Sequence, residues 1–158
     1  MINGADPKQW GPCLWNFLFI SIIGRFPDKI DFQNEEHVMI VKYFKNFIYS
    51  FQVVLPCIYC RKSFSFFTRQ SPLTDNVMSG KKSLLYWVYT IKDKINKKLI
   101  SQEQKNYANK RQEIDTLLNN KIITQEEYRI KLNILNNLFK TTPSPSFETV
   151  LENYYNKI

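Results

Sequence analysis

The sequence predicts an all-α protein: a four-helix bundle with a short fifth helix and an inserted helical hairpin. Apolar residues recur at three- and four-residue spacing along most of the chain, which is the period of amphipathic helices. Seven prolines and four glycines are few for a fold of many short strands. The 158 residues, 44% hydrophobic and 15% aromatic, suffice for a sizeable core. A bundle is the simplest way to pack the four main helices.

The first two predicted helices end at prolines. Residues 10–26 are apolar on most sides, and Gly11-Pro12 would begin a helix there that ends before Pro27. The second helix would begin at Asn34, a preferred N-cap residue, and end before Pro56. Its apolar face would contain Val41, Phe44, Phe47 or Ile48, and Phe51.

Two further helices follow before the composition changes. Cys57 to about Gln70 would form the third, with Phe64 and Phe67 inward and a stop at Ser71-Pro72. After a polar connection, Ser83 to about Leu99 would form the fourth. Its apolar residues at helical spacing are Leu84, Val88, Ile91 and Ile95.

The segment 101–140 is rich in Asn, Gln, Lys and Glu and has few aromatic residues. It divides at Asn119-Asn120-Lys121, and Thr124 with Glu127 forms a capping box that starts a new helix. We therefore expect an antiparallel hairpin, which either contacts a partner or is a tolerated insertion. A linker over 141–145 would follow, and Ser144, with Pro145 at the first helical position, would begin the last helix.

The charge, hydropathy and cysteine count of the chain bear on nucleic-acid binding, membrane insertion and disulfide content. The formal net charge is +8, but the lysines are spread over predicted helix surfaces, so we expect no nucleic-acid binding. No apolar run reaches the roughly 18 residues of a spanning helix, and residues 1–9 do not resemble a secretory leader. We expect a soluble, unprocessed protein. Three cysteines, an odd number, do not form a closed disulfide framework.

Two of the three cysteines form a Cys-x-x-Cys motif, Cys57 to Cys60. A helix N-terminus and the adjacent Arg61-Lys62 would favour a thiolate there. A metal site would need His37 and Cys13 as further ligands, and a structural disulfide over so short a loop would add little stability. A redox dithiol is the leading interpretation. Because helices, not strands, flank the motif, a thioredoxin-like domain is not expected, and a cofactor would have to accept the electrons.

Four short pieces of the chain occur in a characteristic order. They are Trp10-Gly11-Pro12 with Trp15, Leu55-Pro56-Cys57 with Cys60, Trp87 with Asn96 and Leu99, and Pro145-Ser146-Phe147-Glu148 with Tyr154. In this combination the chain resembles the flavin-linked sulfhydryl oxidases of the Erv/ALR type, and among them the short versions encoded by large DNA viruses. The resemblance covers about residues 8–100 and 143–156. It implies that 1–100 and 143–158 form the oxidase bundle and that 101–142 is the inserted hairpin and linker.

The resemblance also implies a mechanism. FAD would lie at the mouth of the bundle, which would dimerise through its first two helices. Cys60 would face the isoalloxazine, and Cys57 would be the exposed sulfur that exchanges with a substrate dithiol. The electrons would pass to molecular oxygen, giving hydrogen peroxide.

The residues implied as FAD ligands depart from the family pattern at two places. The implied ligands are Gly11, Trp15, Phe19, Trp87, Lys92, Asn96, Lys98, Leu99 and Tyr154. Family members commonly have a histidine near Phe19 and another at the position of Lys92. Stacking by the Phe19 ring and a charge from Lys92 toward the phosphates are the substitutes that we expect here.

The absence of a second cysteine pair implies an external electron donor. The resemblance to the viral versions of the family implies that a thioredoxin-like or other dithiol carrier would relay electrons from substrates, in the host cytoplasm at the viral factory and in the virion. Cys13 is expected to be a small buried apolar side chain. The alternative is a non-enzymatic helical interaction protein whose Cys-x-x-Cys is incidental or binds a metal; flavin and metal content would distinguish the two.

Overall fold

Six α-helices make up most of the chain in a computed structural model that describes residues 6–156. They are α1 (Pro7–Arg25), α2 (Glu35–Val54), α3 (Ile58–Gln70), α4 (Lys81–Asn119), α5 (Gln125–Leu138) and α6 (Phe147–Tyr155). A 3₁₀ turn, Val77–Ser79, precedes α4. Residues 6–156 contain no strand, so the all-α prediction is confirmed. Within the same range, no helix is both long and apolar enough to cross a membrane.

The chain forms two compact units. Residues up to Ile95, together with those from Pro145 onward, form the first, and Asn96–Ser144 form the second. Helix α4 runs through the boundary and contributes to both.

The first unit has an apolar core to which α1, α2, α3, α4 and α6 contribute. Ile48 of α2 is buried whereas Phe47 is 38% exposed, which resolves the choice between the two for the inward position. The predicted inward residues of α4 are buried down to Ile91. Side chains with almost no exposure include Leu18, Phe19, Ile22, Phe26, Phe64, Met78, Leu84 and Val88.

Helix α1 begins earlier than predicted. Asp6 is its N-cap, the side chain accepts a hydrogen bond from the N–H of Lys8 at 3.0 Å, and Pro7 occupies the first turn. Pro12, expected at the start, therefore lies inside the helix. Asp followed by Pro is a stronger start than Gly followed by Pro, because the carboxylate satisfies a free N–H group.

Two other boundaries also differ from prediction. Helix α4, expected to end at about Leu99, continues unbroken to Asn119, because no Gly or Pro lies between Lys81 and Asn119. The cap of α6 is Ser146, whose hydroxyl accepts from the N–H of Thr149 at 3.2 Å, and not Ser144.

In the second unit, the later part of α4 pairs with α5 in antiparallel fashion. The Tyr107 hydroxyl donates to Asn136 (2.8 Å), and the Tyr128 hydroxyl donates to Asp115 (2.7 Å). Lys121, at φ 54°, ends α4 in the left-handed conformation.

The predicted capping box at the start of α5 is confirmed. Thr124 Oγ1 accepts from the N–H of Glu127 at 3.2 Å, and the Glu127 carboxylate accepts from the N–H of Thr124 at 2.8 Å. These two bonds satisfy backbone donors that the helix itself leaves free.

Candidate functional site

Cys57 and Cys60 lie together at the start of α3. Helix α2 ends at Val54, ahead of Pro56, and the chain turns so that Cys57 becomes the N-cap of α3. The Sγ of Cys57 accepts a hydrogen bond from the N–H of Cys60 at 3.2 Å. Both cysteines are free thiols. The N-cap sulfur therefore lies at the positive end of the α3 dipole.

The loop before the dithiol is tied to α3 by Arg61. Its guanidinium donates a hydrogen bond to the carbonyl of Leu55, across the turn that contains Pro56 and Cys57. One turn further along α3, the ring of Phe64 packs edge-on against Phe51 of α2, with centroids 5.6 Å apart. The dithiol is thus held on a loop that is fixed at both ends.

Burial and the neighbouring sulfur raise the pKa of Cys60 to about 12. Burial is the largest cause, followed by the hydrogen bond to Cys57 and by the negative charge of a Cys57 thiolate. The backbone N–H and the Arg61 charge lower the pKa but do not outweigh these effects. For Cys60, the expectation of a favoured thiolate is therefore wrong, and Cys60 holds its proton more tightly than an ordinary cysteine.

The exposure of the two sulfurs is also opposite to expectation. Cys57, expected to face outward, is only 7% exposed, whereas Cys60 is half-buried. The reason is local, because the Cys57 side chain turns back over the first turn of α3 to reach the N–H of Cys60.

Phe19, Lys92 and Tyr154 come together in the first unit from α1, α4 and α6. The rings of Phe19 and Tyr154 are stacked, with centroids 4.8 Å apart and an interplanar angle of 11°. The ammonium of Lys92 lies 6.0 Å from the Phe19 centroid. Burial lowers the pKa of Lys92 and raises that of Tyr154, because water solvates the charged form of each less well there.

This cluster fits a cofactor that has both a planar ring and phosphate groups. Within residues 6–156, Lys92 has no carboxylate or hydrogen-bond partner, only the ring of Phe19. A half-buried ammonium without a counter-charge favours an anion such as a phosphate. Of the two stacked rings Phe19 is fully buried, so it is the half-buried Tyr154 that offers flat apolar surface of the kind that a ring system such as isoalloxazine or adenine packs against.

Three other predicted FAD ligands lie in the first unit and make other contacts. Trp87 is buried, and its Nε1–H donates to the carbonyl of Ser71 at 2.8 Å. Trp15 is half-buried against the core, and Gly11 has open space where a Cβ would lie. A second bond to Ser71, from the Lys94 ammonium to its hydroxyl at 2.8 Å, has no counterpart in the sequence predictions.

The remaining predicted ligands, Asn96, Lys98 and Leu99, lie in the second unit. The Asn96 amide donates to the carbonyl of Thr142 at 2.8 Å and to the hydroxyl of Ser144 at 3.2 Å. Lys98 and Leu99 are exposed. Their contact with FAD stays a prediction from the sequence.

The structure gives the surroundings of the two residues considered for a metal site. His37 is half-buried, and its Nδ1 accepts a hydrogen bond from the N–H of Asp31 at 3.0 Å. Cys13, expected to be buried, is exposed on α1, because its position falls on the outer face of that helix. Residues 6–156 contain no cluster of three or more His, Cys, Asp or Glu side chains that could hold a metal ion.

Comparison with known proteins gives two matches. The model of the Erv1/Alr family matches residues 12–115, about two thirds of the chain and including both sulfurs of the dithiol. A protein of Acanthamoeba polyphaga mimivirus named "Probable FAD-linked sulfhydryl oxidase" is 31% identical over 91 residues, which are 58% of this chain and 59% of that relative. The match thus spans less than two thirds of the relative's length.

Proposed function

The chain belongs to the Erv1/Alr family, and we propose from this that it is a FAD-dependent thiol oxidase that forms disulfide bonds in proteins. The observation that carries the proposal is the pairing of a helix-N-terminal dithiol with an aromatic and cationic cluster in one compact unit. The name of the mimiviral relative supports both the cofactor and the reaction.

In the proposed reaction, the Cys57–Cys60 disulfide oxidises a substrate dithiol by thiol–disulfide exchange. The substrate loses two electrons and two protons and forms a disulfide, while both cysteines return to the thiol state seen in the structure. When bound, FAD supplies the two-electron acceptor that a dithiol lacks and passes the electrons to molecular oxygen, which becomes hydrogen peroxide. Reforming the disulfide requires the loss of the Cys60 proton, which burial and Cys57 make unfavourable at neutral pH.

Residues of the first unit are proposed to hold FAD. The half-buried Tyr154 would pack against a ring of the cofactor, with the buried Phe19 ring stacked behind it, and Lys92 would be the counter-charge for its phosphates. Gly11, with open space beside its Cα, would allow a close approach to α1. Trp15 and Trp87 are proposed to contribute ring surface, as the family resemblance implies.

The electron donor is proposed to be a thioredoxin-like or other dithiol carrier. The sequence contains three cysteines and therefore no second pair to relay electrons to Cys57 and Cys60. The viral source of the mimiviral relative supports a site of action in the host cytoplasm, at the viral factory, and in the virion. Antibody labelling of infected cells and purified particles tests this location.

A homodimer through α1 and α2 is also proposed. Both helices carry large apolar side chains that are more than two fifths exposed, including Phe17 and Ile20 on α1 and Met39 and Tyr43 on α2. Such side chains are typical of subunit interfaces. Light scattering after size exclusion should give twice the chain mass, and Phe17→Glu should give the monomer mass; a wild-type monomer contradicts the dimer.

The test of the oxidase uses the purified protein. It should be yellow, with flavin absorbance near one cofactor per chain, and should consume oxygen with dithiothreitol. Cys60→Ser should keep the flavin and lose turnover, whereas the matched control Cys13→Ser should keep both. Colourless protein that does not take up FAD would contradict the oxidase, and turnover by Cys60→Ser would show that electrons do not pass through the dithiol.

A further inference from the structure

Four exposed apolar side chains surround the loop that carries the dithiol. Val53 and Val54 end α2, and Ile58 and Tyr59 begin α3; we call these four residues the collar. Val53 is 77% exposed, Val54 and Tyr59 are each 64% exposed, and Ile58 is 38% exposed. None of them is needed to fill the core of the first unit. Exposed apolar groups clustered beside a reactive pair are typical of a docking surface.

After the first turn of α2, which contains Glu35 and Glu36, the charged side chains of α2 and α3 are all basic. Between Val38 and Leu73 the chain contains five cationic residues and no carboxylate, although Asp and Glu number 14 in the whole sequence. Lys45 pairs with Asp75 at 3.2 Å, and Arg61 is engaged with the carbonyl of Leu55. Lys62 and Arg69 are exposed on α3 itself. The charged side chains that α3 itself presents to a partner are therefore all positive.

Because the two cysteines are poorly exposed, a substrate protein benefits from binding next to the dithiol before it reacts. Cys57 is 7% exposed and Cys60 is half-buried, so an incoming thiolate has limited access to either sulfur. A small polar thiol gains little from apolar neighbours. A protein that buries the collar is held beside the dithiol, and proximity of this kind raises exchange rates.

We propose that the collar and the cations of α3 form the docking surface for an acidic, folded dithiol carrier that has apolar side chains beside its own dithiol. The proposal rests on the proposed oxidase function and names the partner of that same site. Charge complementarity selects an acidic partner, because like charges at an interface slow association.

In the exchange, a carrier thiolate attacks one sulfur of the Cys57–Cys60 disulfide and the other leaves as a thiolate. The second carrier thiol then attacks the mixed disulfide, so that the carrier leaves oxidised by two electrons and both enzyme cysteines are reduced.

The first test compares two substrates in an oxygen-consumption assay. Val54→Ser/Tyr59→Ser should lower kcat/KM for a reduced acidic thioredoxin by about tenfold or more, because apolar contact with the carrier is lost. Turnover of dithiothreitol, which does not need the collar, should stay within about twofold. The matched control Ile130→Ser/Ile134→Ser removes exposed apolar groups from α5 instead and should change neither. Equal losses with both substrates, or no loss with thioredoxin, would overturn the docking role.

The second test separates an acidic carrier from an unfolded chain. Arg69→Glu, in the last turn of α3 and away from the dithiol, and rising NaCl should each lower kcat/KM for the acidic thioredoxin and leave dithiothreitol turnover unchanged. Reduced, unfolded ribonuclease, a basic polypeptide, should be a poor substrate. If ribonuclease is oxidised as fast as thioredoxin and is equally sensitive to the collar variant, the occupant is an unfolded segment and the proposal is wrong. Failure of wild-type protein to oxidise dithiothreitol would instead refute the oxidase function itself.

Discussion

The stack between Phe19 and Tyr154 gives a measurable coupling between α1 and α6. Phe19 has no exposure, and its ring lies 4.8 Å from that of Tyr154 at 11°. Phe19→Leu keeps the site apolar at similar volume and should cost about 1.5 kcal/mol of unfolding free energy. Tyr154→Leu, at a half-buried site, should cost about 1 kcal/mol. Aromatic pairs contribute about 0.5–1.5 kcal/mol beyond burial, so the double variant should be destabilised by that much less than the sum.

Urea unfolding of the flavin-free protein measures the four corners of this cycle. Trp15 and Trp87 both lie in the first unit, so tryptophan fluorescence reports its unfolding. The matched control pairs Phe19→Leu with Tyr43→Leu, because Tyr43 is exposed on α2. The control effects should add within about 0.3 kcal/mol. Equally additive effects for Phe19 and Tyr154 would refute the stack as a source of stability.

Three further predictions concern charge, the thiols and the capping box. Because burial lowers the pKa of Lys92, its charged form opposes folding, and Lys92→Met should stabilise the flavin-free protein to urea at pH 7, by a margin that shrinks as the pH approaches 10.5. The same variant should retain less flavin after desalting. A variant that is less stable to urea than wild type would contradict the destabilising effect of the Lys92 charge. Cys57→Ala removes both the hydrogen bond and the charge by which Cys57 raises the pKa of Cys60, so iodoacetamide should alkylate Cys60 faster than in wild type by peptide mass spectrometry. An unchanged rate would leave burial as the sole cause. Thr124→Ala should lower the stability of the hairpin by about 0.5–2 kcal/mol. Hydrogen exchange should become faster in the first turn of α5 and stay unchanged in α2. Unchanged exchange in α5 would mean that the cap is not a source of stability.

Local rules predicted the helices whose ends are set by a few neighbouring residues. Asn34 caps α2 through its own side chain, and the box at Thr124 depends on residues three apart, so both could be seen in the sequence. The start of α1 was missed because two proline sites competed, and the Asp6 cap decided between them. The length of α4 was missed because a change from apolar to polar composition does not itself end a helix.

Some features of the candidate site could likewise be predicted from the sequence, whereas others depend on tertiary packing. Motif order identified the dithiol, and it also identified Phe19, Lys92 and Tyr154, which the fold then brought together. The burial of Cys57 and the raised pKa of Cys60 could not be predicted, because both depend on how α3 packs and where its first turn points. No pattern in the sequence indicates that Trp87 and Lys94 of α4 would donate hydrogen bonds to Ser71 at the end of α3.

The hydrogen bonds of Asn96 bear on how the chain can be cut and rejoined. Asn96 and Ser144 are the first and last residues of the second unit, and their side chains are 3.2 Å apart. A segment whose two ends meet can be removed or replaced without stretching the chain on either side. A short glycine and serine bridge in place of residues 97–143 should therefore leave a continuous polypeptide that still contains the dithiol, the collar and the Phe19–Tyr154 stack. The same closeness of the two ends would let a different hairpin be grafted at this position.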